Sequence, residues 1–432
     1  MNRRFQMAVV AASTLVVALL LVGAVVGQAP ETAPADPYRH IGVYTEVFSK
    51  IKSDYVEEPD MKNVTLGAIN GLLVSLDPFA SYLNGDQYKQ YLKTTENPKA
   101  GVGLILSRKY GYEISIVDAI PGSPADKAGL ATGDIIESIN GIATRDMPLA
   151  YTDVLLHGEP GSTVDLNVLR LRKAEPSKIT LTRAKIVLPA PTEKVLEDKI
   201  GYVAVESLET GKSQAIAAAI KDLEKQGIQK LILDLRHSAS GTPEEGVELA
   251  RLFLEKGQIT YVMGQKYPKQ SFDADPAKVV WKGPLTVLTN RGTANGAEVA
   301  VAALQEYKRA QVVGERTYGD AAIRKAVPTQ DGGAVLLAVA KFYTPGGKAI
   351  PDTSVTPGYP VLDAEAVPEE DDDNNPATPP PASKRGEDPI LKKGIEVIKN
   401  GLTADSQKTA DRKMPANPDN MQLLTPLNVP KK

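Results

Sequence analysis

The feature that most constrains this chain is an alternation of two kinds of apolar run beyond residue 186. IGYVAVESL reads as a strand and SQAIAAAIKDLEKQ as a helix; KLILDLR is a strand, PEEGVELARLFLEKG a helix, PLTVLTN a strand, AEVAVAALQEYKR a helix and AQVVGER another strand. Short β-branched runs have strand length, and the longer runs repeat apolar residues at helical spacing. Helices packed on a mostly parallel sheet satisfy such alternation, so an α/β core over 186–360 is expected. GGAVLLAVAKFYTPGGKAI then reads as a hairpin.

Inside this region RGTANGAE, residues 291–298, joins a strand-like run to a helix-like one. A sharp strand-to-helix turn is a favoured place to expose a nucleophile. Asn295 and Gly296 stand at the turn, and an amide is a poor nucleophile. Asn295 suits a helix N-cap instead, with Glu298 three residues on as in a capping box. Thr293 carries a hydroxyl but lies two residues off the turn position. His237, Ser238 and Ser240 share one turn, where neighbours rarely align as nucleophile and base. Asp234 and Arg236 read as structural members of the KLILDLR strand.

Other segments flank this core. Residues 7–26, MAVVAASTLVVALLLVGAVV, are uncharged and long enough to span a bilayer, and they follow Arg3 and Arg4. That order favours a cytoplasmic N-terminus with the bulk of the chain outside the cytoplasm, in the periplasm of an inner-membrane protein. Residues 1–27 therefore read as a transmembrane signal-anchor, with a signal peptide cut near Gly27 as the competing reading. Residues 28–37 form a Pro-rich linker, and 38–98 a helical region. There Val43, Val47, Ile51 and Tyr55 recur on one helix face. Residues 361–387 are acidic and Pro-rich, the composition of a disordered linker. Residues 388–402 regain a helix capped by Asp388, with Leu391, Ile395, Ile398 and Leu402 on one face, and 403–432 form a polar tail. The 432 residues hold no cysteine and three histidines, His40, His157 and His237, which leaves no set for a disulfide, a thiolate metal site or a multi-histidine zinc site. Net charge of −3 gives no basic field for nucleic acid. No cofactor and no metal are expected.

Residues 99–185 form a separate β-rich unit, with GVGLIL, YEISIV, DIIESING and TVDLNVLRL strand-like and LAYTDVLLH a short helix. GVGLIL resembles the carboxylate-binding loop of PDZ domains. IPGSPADKAGLATGDIIESINGIATRDM resembles the segment that follows it in bacterial PDZ domains. The resemblance implies that a protein's C-terminal peptide binds along Gly101, Val102, Gly103, Leu104, Ile105 and Leu106. Backbone N–H groups of the loop would hold the carboxylate, and the helix around Val154 and Leu155 would wall an apolar pocket.

From residue 40 to 402 the chain resembles the C-terminal processing, or tail-specific, serine peptidases. GLLVSLDPFASYL resembles "GLDPHSSYL", KLILDLRHSASG resembles "LILDLRNNPGG", and FYTPGGKAIPDTSVTPGYPV resembles "YTPSGRSIQGxGIxPD". The resemblance implies a crotonase- or Clp-protease-like core and a Ser–Lys mechanism. TANGAE aligns on "SASASE" and GERTYGDAAIR on "GEPTFGKGTVQ". The nucleophile position is then Asn295, the Lys position Asp320 and the Gln position Arg324. In the oxyanion turn, Gly241 remains of the glycine pair, and Gly296 follows the nucleophile position. Asn295 has no proton to lose to a base, and Asp320 is a weak base at neutral pH. An Asn295–Asp320 hydrogen bond is expected in their place. Lys325 and Lys348 lie nearby by analogy and read as surface residues. Three functions follow. The first is a non-catalytic, membrane-anchored binder of protein C-termini, acting as scaffold or regulator of an active family peptidase or an envelope adaptor, with homo-oligomerisation left open. The second is an active serine-type endopeptidase with another constellation, built on Thr293 or Ser238. The third is a structural envelope protein with a closed PDZ groove.

Overall fold

The apolar runs of the alternating region are continuous because their strands are buried on both faces. In the strand Lys230–Asp234, Leu231 and Leu233 join the main core, while Ile232 points to the opposite side. Val287 and Leu288 divide in the same way in the strand Leu285–Thr289. The computed structural model describes residues 37–96, 99–108, 113–145, 147–170, 175–362 and 388–400.

A six-stranded sheet runs in the order Tyr359–Pro360, Gln311–Gly314, Leu285–Thr289, Lys230–Asp234, Ile200–Ala204, Thr192–Leu196. All neighbours are parallel except the last pair. One face carries the helices Lys212–Lys225, Pro243–Arg251 and Gly296–Glu306. The other carries the C-terminal helix Pro389–Asn400. Asp388 caps that helix, its carboxylate accepting from Leu391 N at 2.9 Å. The buried residues of the helix are Ile390, Gly394, Val397 and Ile398, with Leu391 and Ile395 only partly covered. Of the expected face, Ile398 is buried and Leu391 and Ile395 pack at its edge, while Leu402 lies outside the described residues.

A second sheet holds Ser81–Leu83, Ala334–Tyr343, Gln258–Met263 and Gln270–Asp273, with Ala322–Pro328 also on Ala334–Tyr343. The hairpin read from GGAVLLAVAKFYTPGGKAI is reduced to an antiparallel bridge between Tyr343 and Ala349 across a turn at Thr344–Lys348. Its long strand pairs backwards with Ala322–Pro328, across a turn at Thr329–Gly333. Ser81–Leu83 also departs from a purely helical 38–98 region, since it pairs with Ala334–Leu336. The β-rich unit forms its own sheet, in the order Leu104–Ser107, Ile114–Ala119, Ile135–Ile139, Thr163–Leu169, Ser177–Thr182. Its separate core is built on Ile114, Ile136, Ile139 and Leu166. The helix Leu149–Leu156 packs on this core through Leu149 and Leu156.

The chain divides into an N-terminal unit ending at Leu66 and a larger unit from Gly67 onward. In the first, Val43 and Val47 of the helix Pro37–Asp54 are exposed. Among the described residues no helix is long and apolar enough to cross a membrane. The anchor over 1–27, most of the linker over 361–387 and the tail over 403–432 lie outside the described residues.

Candidate functional site

Asn290 organises the turn that ends the strand Leu285–Thr289. Its side-chain oxygen accepts from Gly292 N at 3.0 Å and from His237 N at 3.1 Å. Its backbone N–H donates to Thr293 Oγ1 (3.0 Å), and that hydroxyl donates to Leu235 O (2.8 Å). Thr293 is fully buried, and its hydroxyl is committed to holding the turn. Asn295 then adopts φ 54° and ψ −119°. That ψ lies far from the left-handed well that Asn tolerates. Such strain costs on the order of 1–3 kcal/mol and persists only where the surroundings enforce it. Here the enforcement is a backbone crossing. A Cβ on Gly296 would stand 2.2 Å from Thr242 O, and one on Gly246 2.0 Å from Gly296 O. The helices Pro243–Arg251 and Gly296–Glu306 therefore meet through glycines.

The cap expected of Asn295 is only half formed. Its backbone N–H donates to Glu298 Oε2 at 3.1 Å, but its side chain makes no cap hydrogen bond. Nδ2 donates to Gly241 O at 2.6 Å, and Oδ1 is buried without a hydrogen-bond partner. The expected Asn295–Asp320 bond is absent for the same reason. Glu298 is the hub instead. Fully buried, it accepts from Gly319 N (2.6 Å), Asp320 N (2.7 Å), Asn295 N and the Thr317 hydroxyl. Burial pushes its carboxyl up to about 7, against the pull of these donors. Through one Glu298 oxygen the positions aligned on the nucleophile and the base are brought side by side. The Asp320 carboxylate forms an ion pair with Arg324, whose guanidinium lies 4.0 Å from the centre of the Phe79 ring. Phe79 meets Tyr318 edge-on at 6.0 Å.

His237 sits in the adjoining turn with φ 58°. Because Asn290 Oδ1 is occupied by N–H groups, Nδ2 must face His237 Nε2, at 2.9 Å. Nε2 is then the acceptor, and Nδ1–H donates to Asp118 Oδ1 at 3.1 Å. Asp118 belongs to the β-rich unit, so the imidazole ties that unit to the core. Burial pushes the nearby Glu206 carboxyl up, with His237 opposing and Asp118 reinforcing the shift. Ser238 is fully buried, and its Oγ has no hydrogen-bond partner. Lys325 and Lys348 are exposed, with Lys325 5.8 Å over the Tyr267 ring. Composition could not reveal the His237–Asp118 tie, since the two residues stand far apart in the chain.

The second part of the site is a groove of about 380 Å³. Val102, Gly103, Leu104, Ile120, Asp153, Leu156 and His157 line it from the β-rich unit, and Ile186, Leu188, Glu209 and Ser240 from the residues that follow. Gly103 is required at φ 81°, where a Cβ would stand 2.3 Å from the Ser123 side chain. Among the described residues neither Val102 nor Gly103 donates its N–H to a partner. Of the residues expected along the peptide site, Val102, Gly103 and Leu104 line this groove, and the others stand outside its lining. The helix wall is Asp153, Leu156 and His157 rather than Val154 and Leu155; Leu155 packs toward the core of the unit. Leu106 is core, and Ile105 packs beside Ala294 and Tyr318. Gly101 is bridged to Ala184. His157 Nδ1–H donates to Asp153 O at 2.7 Å. The protein around the groove pushes the Asp153 carboxyl up to about 6, against the pull of His157. Asp153 is nevertheless open to water in the groove, which tempers that push.

A strained strand-to-helix turn on a largely parallel sheet, with a grooved β-rich unit beside it, fits the family resemblance read from the motifs. Comparison with known proteins agrees. Residues 199–361 match the family model for peptidase family S41, and residues 115–170 match the PDZ domain model. The carboxy-terminal processing protease CtpA of Bacillus subtilis is 33% identical over 319 residues, covering 72% of this chain and 67% of that protein. The carboxyl-terminal-processing protease of Synechocystis is 33% identical over 303 residues, covering 68% of this chain and 70% of its own. The solved photosystem II D1 C-terminal processing protease superposes with a TM-score of 0.61 at 27% identity, covering 74% of this chain and 92% of that one. The chain belongs to peptidase family S41, among relatives named carboxy-terminal processing proteases.

Proposed function

We propose that this chain is a membrane-anchored, envelope-facing pseudopeptidase that captures protein C-termini in its PDZ groove and acts as scaffold or regulator. The observation that carries the reading is Asn295. It occupies the strained nucleophile position, offers no hydroxyl or thiol, and spends its amide on Gly241. Support also comes from Asp320, which supplies no amine and is paired with Arg324. Residues 7–26 support the anchor, and with it a periplasmic location. Partners on this reading are protein tails, an active relative or envelope adaptor, and the membrane through the N-terminal segment.

The relatives' printed names favour a second reading, an active endopeptidase with a different constellation. Against it, the Thr293 hydroxyl is committed to Leu235 O and Ser238 is buried. The test is a tail-cleavage assay on the wild type and on Asn295→Ser with Asp320→Lys. No wild-type turnover with cleavage gained in the double variant is expected. Wild-type cleavage that a single substitution in this chain abolishes would overturn the proposal.

A further inference from the structure

The groove carries more chemistry than a carboxylate seat. Its loop offers the undonated N–H groups of Val102 and Gly103, enough to seat a terminal carboxylate. Leu104, Ile120, Leu156, Ile186 and Leu188 give apolar walls suited to a terminal aliphatic side chain. Asp153, His157, Glu209 and Ser240 complete the lining, and two of them are acidic. Asp153 comes from the PDZ helix, and Glu209 from the segment after the strand Ser207–Leu208. Neither carboxylate has a hydrogen bond or ion pair among the described residues. A peptide filling the groove would strip water from both. Desolvating an unpaired carboxylate is costly, and a cation brought by the ligand removes the cost. An acidic side chain there would add repulsion to the desolvation.

We propose that the groove selects C-terminal tails that carry a lysine or arginine within the last few residues, upstream of an apolar terminal residue. The inference rests on reading the groove as a tail-capture site. A tail added as a strand beside Leu104–Ser107 sends alternate side chains into the groove, about 3.3 Å of chain per residue. Asp153 and His157, four apart along the PDZ helix, both line it. The His157 ring lies over Gly101, 3.2 Å from where a Cβ would stand, beside the carboxylate loop. On this proposal the cation is read by Asp153 from the PDZ unit and by Glu209 from the core. Because Glu209 lies outside the PDZ unit, selectivity is shared between that unit and the core.

Fluorescence anisotropy on the full chain at pH 7.5 tests this. The probes are labelled decapeptides ending in free leucine, with Lys, Gln or Glu placed in turn at each of the four preceding positions, and an amidated form of each Lys peptide. At one position or more, Lys is expected to bind at least about tenfold tighter than Glu, with Gln between and the gap narrowing as salt rises. Amidation should abolish binding. Asp153→Asn with Glu209→Gln should bring the Lys-to-Glu ratio close to one, with circular dichroism checking the fold and the two single variants read as well. Equal binding of Lys, Gln and Glu peptides would overturn the charge selection and leave tail capture standing. A ratio that survives in the folded double variant would overturn the assignment to these two carboxylates. If no peptide bound, and a random C-terminal display library also yielded none, the capture reading itself would fall.

Discussion

Glu298 is the residue on which the turn depends. It gathers donors from Asn295, Thr317, Gly319 and Asp320 on one buried carboxylate. Its ordinary value of 4.5 is raised to about 7, chiefly by burial. The folded chain thus keeps a proton here that the unfolded chain has released between those values. The stabilisation is complete below about pH 4.5 and is lost as pH rises toward 7, with a slope of at most about 1.4 kcal/mol per pH unit from this group. Urea unfolding across pH 4–8 should show that slope in the wild type and lose it in Glu298→Gln. The variant should also be about 1–3 kcal/mol less stable, because a glutamine N–H₂ would face N–H donors. An unchanged slope would show that Glu298 is ionised throughout. At this scale sequence reasoning was half right about Asn295. The pattern of an N-cap and a Glu three residues on is present, but the side chain answers to Gly241, a neighbour that spacing does not reveal.

At the scale of elements, the C-terminal helix was legible and its attachment was not. The Asp388 cap followed from the pattern Asp-Pro before an apolar run. What holds the helix down is Arg236, which donates to Asp388 at 2.9 and 2.8 Å and also to Asp234 at the end of the strand Lys230–Asp234. Arg236→Ala leaves two carboxylates without their shared cation. The loss is expected at the low end of about 3–5 kcal/mol, since Asp388 keeps contact with water. Hydrogen exchange should rise together in Pro389–Asn400 and in Lys230–Asp234. Protection lost only in the helix would mean that Arg236 does not couple the two. The pairing of Ala334–Tyr343 with the strand before it was missed for a related cause. Ala322–Pro328 is a half-exposed edge strand containing Arg324, Lys325 and Pro328, so its apolar signal is weak beside that of Ala334–Tyr343.

Across the whole molecule the PDZ unit is docked beside the strained turn. Val117, Ala239, Ala294 and Tyr318 share a small apolar cluster, the Tyr318 hydroxyl donates to Ser107, and His237 donates to Asp118. Each contact joins a PDZ strand to a loop beside the Asn295 turn. Tyr318→Phe should cost about 0.5–1.5 kcal/mol of docking. Exchange should quicken in Leu104–Ser107 and around Arg316–Gly319, while Thr163–Leu169, on the far side of the PDZ sheet, stays protected. A uniform change across the chain would instead indicate global destabilisation.

The sequence by itself determined the α/β core, the PDZ unit and the family. These rest on periodicity and on local motifs, which are written in consecutive residues. Only the tertiary structure decided what those residues do. Asn295 bonds Gly241, Asp320 pairs with Arg324, His237 reaches Asp118, and Glu209 joins Asp153 in one groove. Each of these depends on how separate elements are brought face to face, through a backbone crossing at Gly246 and Gly296 and through the seating of the PDZ sheet on the core. Burial then sets the cost of every charge so placed, and no spacing along the chain records it.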